Sequence, residues 1–474
     1  MSILPNFYYT WQGTKHLKVE EVHKRYGDVV RIEPNFISIM SPNSVQAIHG
    51  TGSPWVKGYY YTRGSTKTQA LVNLASAVDK RVYARKRRII SHAFSEAAIR
   101  SYDAVELDKI RLFCKQIADP TTFKGEYKNM SRWFSYLTYD VMGALTFGHQ
   151  YNMLIKNDDH FIQPLIDTFQ HIQIILGCVP WVKRIGVGGI MFLNMASAVK
   201  KFKNYVANQV THRIDQEKAG KRPDDIFKLL LNAEDKKTGE EMEFKELSDE
   251  AVVLIIAGST FPSSATICAC LLTSLLLTSD TTGTALSGMS FYLARYPKCY
   301  ARLKEEIHST FSDIVDIVSG AKLLTCKYLK ACVEEALRMS PGVPSYLVGE
   351  SSQDGVIDGH NIPAFVNVAV PGWAMHRRSD VFPEPQLYKP ERWLTESKEE
   401  IDMLRSAHLP LSYGPRACIG KNLALNAIYL TMARVAFLFD IESKDELALE
   451  FHVKDHFAAG DKNGPYLKFI PQKV

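Results

Sequence analysis

Hydrophobic and polar residues alternate near the start of the chain, in DVVRIEPNFISIM at 28–40, where a Pro-Asn pair supplies a turn. Alternation with a period of two predicts short β-strands. From about residue 77 onward, apolar residues recur every three or four positions, as in YARKRRIISHAF and DAVELDKIRLFCKQI. This longer period predicts that helices make up most of the chain.

The periodic pattern changes again in the last third of the sequence. Short extended segments return at 345–370, an irregular proline-rich stretch covers 382–393, and a C-terminal helical pattern begins around residue 418. No linker separates these parts. We therefore predict a single, mainly α domain over residues 1–474, with a small β portion.

One stretch does not fit either pattern. Every residue from Ala251 to Ser279 is uncharged, which is long enough to cross a bilayer because a span needs about 20 apolar residues. From the pattern alone the stretch is a membrane span, a buried core helix or a segment foreign to the fold.

Composition excludes several classes of function. The net charge is +6, from 57 Lys and Arg against 51 Asp and Glu, and no basic stripe interleaved with aromatic residues indicates nucleic-acid binding. The eight cysteines lie far apart, without the spacing of a zinc site or a disulfide framework, so reduced thiols facing the cytosol are expected. The N-terminal MSILPNFYYTWQG lacks the features of a signal peptide.

The segment LSYGPRACIGKNLAL, at 411–425, carries the strongest chemical signal. Gly414 and Gly420 flank Cys418, and a helical pattern follows at once. Backbone N–H groups and the helix dipole favour a thiolate at such a position. A catalytic thiol, a metal ligand and a buried cysteine in an ordinary turn all remain open.

Two further segments gain meaning only together. Glu335 and Arg338 in EEALRM stand three apart on one helix face, and Arg392 in YKPERW is placed to reach them. Alone, the first pair would be expected on a solvated helix surface. A buried set of three charges is costly unless it is fully hydrogen-bonded, so it would hold a loop in place for a purpose.

The order EALR, PERW and G-x-R-x-C-x-G closely resembles the cytochrome P450 family, and the resemblance runs from about residue 20 to the end. It implies the family's fold and a haem cofactor, iron protoporphyrin IX, with Cys418 as the axial thiolate. Departures are modest: Leu411 replaces a usual aromatic residue, and Gly349 stands where relatives often have an arginine. Within the family, the sequence most resembles filamentous-fungal microsomal members of the benzoate-hydroxylase-like and secondary-metabolite type.

The resemblance also implies roles for other residues. Arg416 is expected to contact a haem propionate, and Tyr83 with Arg87, in YARKR, to meet a propionate from the preceding helix. The residues implied to bind the cofactor are Tyr83, Arg87, Gly414, Arg416 and Gly420, and those implied to lock the fold are Glu335, Arg338 and Arg392.

The uncharged stretch becomes interpretable against this family. In family members, a long central helix carries a motif of the type A-G-S-(D/E)-T-T. The acid and the alcohol of this motif relay protons to dioxygen. Here Ala257-Gly258-Ser259 matches its first half and Ser279-Asp280-Thr281-Thr282 its second. We therefore predict that residues 260–279 are an insertion, whether a retained intron, a gene-model error or a genuine one, and that Asp280 and Thr281 form the relay. A membrane span here would divide the haem pocket.

The implied activity is that of a haem-thiolate monooxygenase acting on dioxygen and an apolar or aromatic small molecule. Electrons are expected from an NADPH-cytochrome P450 reductase docking near Cys418, with positive charge from Lys421, Lys86 and Arg88. We expect the protein to be located on the cytosolic face of the endoplasmic reticulum membrane. The N-terminal anchor of the family is expected to end before this chain starts. The alternatives are a haem-thiolate isomerase, dehydratase or peroxide-using enzyme, or a protein that does not turn over because residues 260–279 disrupt its pocket. The residues expected to line the pocket are Tyr59–Tyr61, 342–348 and Phe457–Ala458.

Overall fold

The computed structural model of the chain describes most of its N-terminal third and nearly all of its C-terminal part. The described residues are 4–57, 74, 77–119, 126–148, 151–155, 215–216, 219–220, 225–231, 238–239, 279–456, 458–459 and 463–472. Tyr59–Tyr61, Phe457 and residues 260–278 of the predicted insertion lie outside them.

Helices dominate the described residues. They are α1 Leu4–Gln12, α2 Lys15–Tyr26, α3 Pro42–His49, α4 Lys80–Ser91, α5 Glu96–Ala118, α6 Met130–Phe147, α7 Ile226–Leu231, α8 Ser279–Arg295, α9 Pro297–Thr310, α10 Ala321–Leu324, α11 Lys327–Met339, α12 Gly372–Met375, α13 Lys398–Ala407 and α14 Lys421–Leu438. Short 3₁₀ helices cover His92–Phe94, Ile314–Asp316, Pro390–Leu394 and Gly414–Arg416.

The strands are short. They are β1 Val29–Glu33, β2 Phe36–Ile39, β3 Lys128–Asn129, β4 Tyr346–Glu350, β5 Gly355–Ile357, β6 His360–Ile362, β7 Asn367–Pro371, β8 Phe439–Ser443, β9 Asp455–His456, β10 Ala458–Ala459 and β11 Tyr466–Pro471. The predicted fold class, mainly α with a small β portion, is confirmed.

Among the described residues, a four-stranded sheet joins the N-terminal strands to the segment 346–371 in the order β1-β2-β7-β4. The strands predicted at 28–40 are β1 and β2, which pair antiparallel with each other. Strand β2 also runs parallel to β7. Every residue of β2 and β7 is buried. Strand β11 pairs with both β3 and β8, which gives a second, three-stranded sheet.

The helical core surrounds α8. This helix contacts α6, α11 and α14, and its side chains from Thr282 to Leu293 are all buried. A helix buried on every side belongs to the centre of a large domain. Helices α4 and α5 begin with side-chain caps, since Asp79 accepts from the N–H groups of Arg81 and Val82, and Ser95 accepts from that of Ala98.

Candidate functional site

The loop before α14 presents Cys418. The 3₁₀ turn at Gly414–Arg416 reverses the chain, and the Cys418 N–H then donates to the Leu411 carbonyl at 2.9 Å. The Cys418 side chain is exposed, and it lines a cavity. The loop therefore presents its sulfur to this cavity.

Backbone contact with α3 fixes the shape of this loop. Gly414 has a φ of +68°, a value that side-chain-bearing residues rarely adopt, and a Cβ there would lie 2.0 Å from the His49 carbonyl oxygen. Glycine is the only residue that fits both conditions. The first glycine of the predicted motif is thus explained by close packing against the end of α3.

Helix α4 supports the same loop with two side chains. Arg87 Nη1 donates to the Ala417 carbonyl at 2.6 Å and to the Tyr83 hydroxyl at 3.2 Å. The Tyr83 hydroxyl in turn donates to the Pro415 carbonyl at 3.2 Å, and the Arg416 guanidinium lies over the Tyr83 ring, 4.8 Å from its centre. Three residues predicted from separate motifs, Tyr83, Arg87 and Arg416, therefore meet around the cysteine loop.

The electrostatics around Cys418 oppose one another. Burial raises the pKa of the Cys418 thiol, while the Gly420 N–H and the charges of Arg87 and Lys421 act to lower it. The net direction is upward, so the helix N-terminus alone does not make the thiolate the favoured form, contrary to the expectation from the loop's position. A bound metal cation would supply the missing stabilisation.

His49 is a nearby group that sequence reasoning missed. It is partly buried at the end of α3, and burial together with the charge of Arg416 lowers its pKa to about 4. It is therefore neutral beside the Arg416 guanidinium. Its place in the site depends on contact between residues far apart in the chain, which no local pattern indicates.

Glu335, Arg338 and Arg392 meet as one ionic set. Arg338 grips the Glu335 carboxylate with two hydrogen bonds, from Nε to Oε2 at 2.9 Å and from Nη2 to Oε1 at 2.8 Å. Arg392 Nε donates to the same Oε1 at 3.0 Å. The Glu335 and Arg338 side chains are 0% exposed, so the solvated-surface alternative does not describe this pair.

Nearly every buried polar atom of the set is hydrogen-bonded, and Arg392 Nη2 is the exception among the described residues. Trp393 Nε1 donates to Glu335 Oε2 at 2.9 Å, and Arg338 Nη1 donates to the carbonyls of His376 and Pro385 at 2.8 Å each. Burial opposes ionisation of Glu335, but the charges and hydrogen bonds of its partners outweigh it and hold the pKa below its usual range. This network joins α11 to the loop at 382–393.

The cavity below the cysteine loop is bounded by α5, α6, α8 and α14. The space inside it, together with its opening to solvent, is about 920 Å³. Most of its wall is apolar. Its lining residues are Phe94, Glu106, Ile110, Leu137, Thr138, Val141, Met142, Thr281, Thr282, Ala285, Leu286, Leu337, Gly342, Pro410, Leu411, Cys418, Gly420, Leu423, Ala424, Leu425, Ala427, Ile428 and Thr431.

Helix α8 contributes Thr281 and Thr282 to this cavity. The described part of α8 starts at Ser279, so the second half of the predicted relay motif lies on this helix. The Asp280 side chain lies outside the described part of the chain. Thr281 therefore shares the cavity with Cys418, and the position of its predicted partner acid remains a prediction.

Comparisons with known proteins were made with the whole chain. The family model for cytochrome P450 matches residues 3–278 and 260–462. The cytochrome P450 monooxygenase ataY of Aspergillus terreus is 61% identical over 214 residues, 45% of this chain and 93% of that protein. The cytochrome P450 monooxygenase atnE of Emericella nidulans is 30% identical over 98% of this chain and 89% of its own length. A cytochrome P450 monooxygenase of Gibberella zeae is 31% identical over 84% of this chain and 91% of its own length.

Proposed function

The chain belongs to the cytochrome P450 family, and we propose that it is a haem-thiolate monooxygenase that inserts one oxygen atom from dioxygen into an apolar or aromatic small molecule. One observation carries this proposal: Cys418 and Thr281 line the same, mostly apolar cavity. Nothing in the relatives or the geometry favours an isomerase, a dehydratase or a peroxide-using enzyme.

The cofactor of this family is haem, and the residues of the cavity fit it. Cys418 offers a metal-ligating sulfur to a largely apolar cavity, and Arg87 and Arg416 hold positive charge at the same loop. A porphyrin with two carboxylates matches such a set of one thiol, two cations and apolar walls. Haem supplies the activation of dioxygen, with two electrons and two protons consumed for each oxygen atom inserted.

The chain's own residues have distinct tasks in this proposal. Cys418 would hold the iron as its thiolate, and because burial raises the pKa of the thiol, loss of its proton would depend on the bound metal. Tyr83, Arg87 and Arg416 hold the loop and would bind the carboxylate side of the cofactor. Thr281, with Asp280, would hold the protons that the reaction consumes, and the apolar wall would exclude bulk water.

Family members draw electrons from a redox partner, and we propose that the partner here is an NADPH-cytochrome P450 reductase. Lys421 and Arg88 are exposed near the cysteine loop and would meet an acidic partner surface. Lys86 does not belong to this surface, contrary to the expectation from sequence, because its side chain is buried on the inner face of α4. The partner's docking charge therefore comes from the other two residues.

Membrane association is also part of the proposal. Tyr8 and Trp11 on α1 are 54% and 49% exposed, and Leu17 on α2 is 42% exposed. Lys18 Nζ lies 5.7 Å from the centre of the Tyr9 ring on α1. Exposed Tyr and Trp near a lysine are typical of a surface lying against lipid head groups. No helix among the described residues is both long and apolar enough to cross a bilayer. We propose that the protein is located on the cytosolic face of the endoplasmic reticulum membrane and that it acts in fungal secondary metabolism.

The insertion of residues 260–279 remains part of the proposal. The two matches to the family model overlap at 260–278, so each half of the family pattern extends into the same stretch. The described residues Ser279–Arg295 form a regular helix, in keeping with the family pattern over this span. Intact mass of the natural protein and sequencing of its transcript test the proposal, and a uniform natural product containing the segment would exclude a retained intron or a gene-model error.

The central experiment compares the reduced, CO-treated spectrum of the protein with that of Cys418→Ser. The wild-type chain should give the thiolate-type band, and the variant should lose it, whereas Cys299→Ser, outside the cavity, should keep it. The same spectrum and NADPH- and reductase-dependent product formation are then measured on the chain with and without residues 260–279. Absence of the band in both chains would overturn the assignment.

A further inference from the structure

The cavity wall contains a carboxyl group to which the proposed reaction assigns no role. Glu106 on α5 is 0% exposed and lines the cavity together with Ile110. It falls on the apolar face of α5, in register with Tyr102, Ile110 and Phe113. An ionisable group on a buried helix face is rare unless it has a partner. Its surroundings therefore need an explanation.

One oxygen of this carboxyl is held and the other is not. Asn426 Nδ2 donates to Glu106 Oε2 at 2.7 Å and to the Ser319 hydroxyl at 2.9 Å, and it also lies 3.4 Å from Asp103 Oδ1. These acceptors take up both of its amide hydrogens. Glu106 Oε1 has no hydrogen-bond partner among the residues that the structure describes. Because its hydrogens are taken up, Asn426 does not serve the second oxygen.

The carboxyl is uncharged at neutral pH. Burial raises the pKa of Glu106 to about 8, with the negative charge of Asp103 acting in the same direction and the Asn426 hydrogen bond against it. The cavity-facing side chains of α6, Leu137, Thr138, Val141 and Met142, carry no charge that would counter this. Because Oε2 accepts from Asn426, the acid proton resides on Oε1, where it has no acceptor among the described residues.

A second buried oxygen in the lining of the same cavity also lacks a partner among the described residues. Thr431 on α14 is 0% exposed and lines the cavity, and its Oγ1 forms no hydrogen bond with any of them. Thr138, by contrast, bonds to the Phe134 and Ser135 carbonyls of its own helix. An unpaired buried donor or acceptor costs about 1–3 kcal/mol, and a polar cavity that can admit water resolves this cost.

We propose that Glu106 and Thr431 form a polar subsite in the wall of the haem cavity, at which Glu106 donates its proton from Oε1 to ordered water that Thr431 also binds. The cavity is large enough, since a water occupies about 30 Å³. The subsite makes one region of an apolar cavity selective for hydrogen-bond acceptors. It goes beyond the proposed function, because its water does not depend on turnover.

The direct test is a high-resolution crystal structure of the haem-loaded protein and of three variants. The wild-type protein should show water within hydrogen-bond distance of Glu106 Oε1 and Thr431 Oγ1. Glu106→Leu and Thr431→Val should lose or displace it. Thr146→Val removes a hydroxyl that is equally buried and unpaired but lies outside the lining, so the water should stay. An empty wild-type subsite, or water unaffected by either substitution, would overturn the proposal.

A stability measurement tests the uncharged state by itself. Between pH 4.5, the ordinary value, and about pH 8, folded Glu106 keeps a proton that the unfolded chain releases, so the contribution of Glu106 to wild-type stability falls as pH rises. Glu106→Gln keeps a donor and an acceptor but does not titrate. Its melting temperature relative to wild type should increase from pH 5 to pH 8 and then level off, while Glu399→Gln at an exposed site should give a flat difference. Parallel curves for Glu106→Gln and wild type would show that the acid is not held protonated. Haem content and the CO spectrum identify a misfolded variant.

Discussion

Gly342 lies directly against Thr281: a Cβ at Gly342 would stand 2.6 Å from the Thr281 Cβ and 2.8 Å from its Cγ2. Both residues line the cavity that Cys418 faces. The segment after α11 therefore limits the position that Thr281 on α8 can take. Thr281 is a candidate proton carrier, so this contact links its position to a glycine 61 residues later in the chain.

Gly342→Ala should displace Thr281 and reduce productive turnover. The added methyl group meets a branched side chain and the helix backbone, so α8 has to shift, and a displacement of about 1 Å near reacting groups costs up to about 100-fold in rate. The measurement is product formed per NADPH consumed. Gly372→Ala is the matched control, because its Cβ would meet only ordinary contacts at 3.9 Å. Equal coupling in both variants would exclude a positioning role for Gly342.

Gly414→Ala should impair haem retention. The new residue would have to adopt a φ of +68° and avoid the His49 carbonyl at 2.0 Å, which as backbone cannot rotate away. Gly420→Ala adds a Cβ at 3.8 Å from Phe94, an ordinary contact, and should lose less. Haem bound per chain and the height of the thiolate-type CO band report the difference. Full haem binding by Gly414→Ala would contradict the packing argument.

The sequence predicted those parts of the site that are contained in short motifs. The cysteine loop, the Glu335–Arg338 pair and Arg392 each belong to a short sequence motif. The order of these motifs, which matches the family, gave each residue a role. Gly342 was expected to line the pocket and does so, but its contact with Thr281 was not predicted. Glu106 and His49 were missed, because their importance lies in contacts across long separations. The unused signal was Glu106 itself, an acid placed in the apolar register of α5.

One error has a different physical cause. Lys86 was read as surface charge because it stands among Arg85, Arg87 and Arg88. It is three residues after Tyr83 and three before Ile89, on the buried face of α4. Its long methylene chain can pack with apolar neighbours, so a basic run does not determine which face of a helix each member occupies.

Glu335→Gln should destabilise the fold far more than loss of an exposed ion pair. The substitution leaves Arg338 and Arg392 buried without their counter-charge, and removal of one partner from a buried pair costs about 3–5 kcal/mol. Glu21→Gln breaks another pair spaced three apart, in which the Glu21 side chain is 63% exposed, and should leave the denaturant midpoint unchanged. Urea unfolding of the haem-loaded protein measures both. Similar midpoints for the two variants would show that the buried set is dispensable.

His16→Phe should make the protein less sensitive to acid. Burial, followed by the charges of Arg377 and His452, lowers the pKa of His16 to about 3, so the folded protein keeps it neutral below the pH at which the unfolded chain takes up a proton. The wild-type protein therefore loses stability as pH falls from 6.5 towards 3, by about 2 kcal/mol at pH 5. Phenylalanine retains a ring against Trp373, whose centre lies 4.5 Å from that of His16, but does not titrate. Melting temperatures between pH 7 and pH 5 should fall less steeply for His16→Phe than for wild type, while His360→Phe, at an exposed site, follows the wild-type slope. If all three slopes agree, the proton that destabilises the protein in acid binds elsewhere.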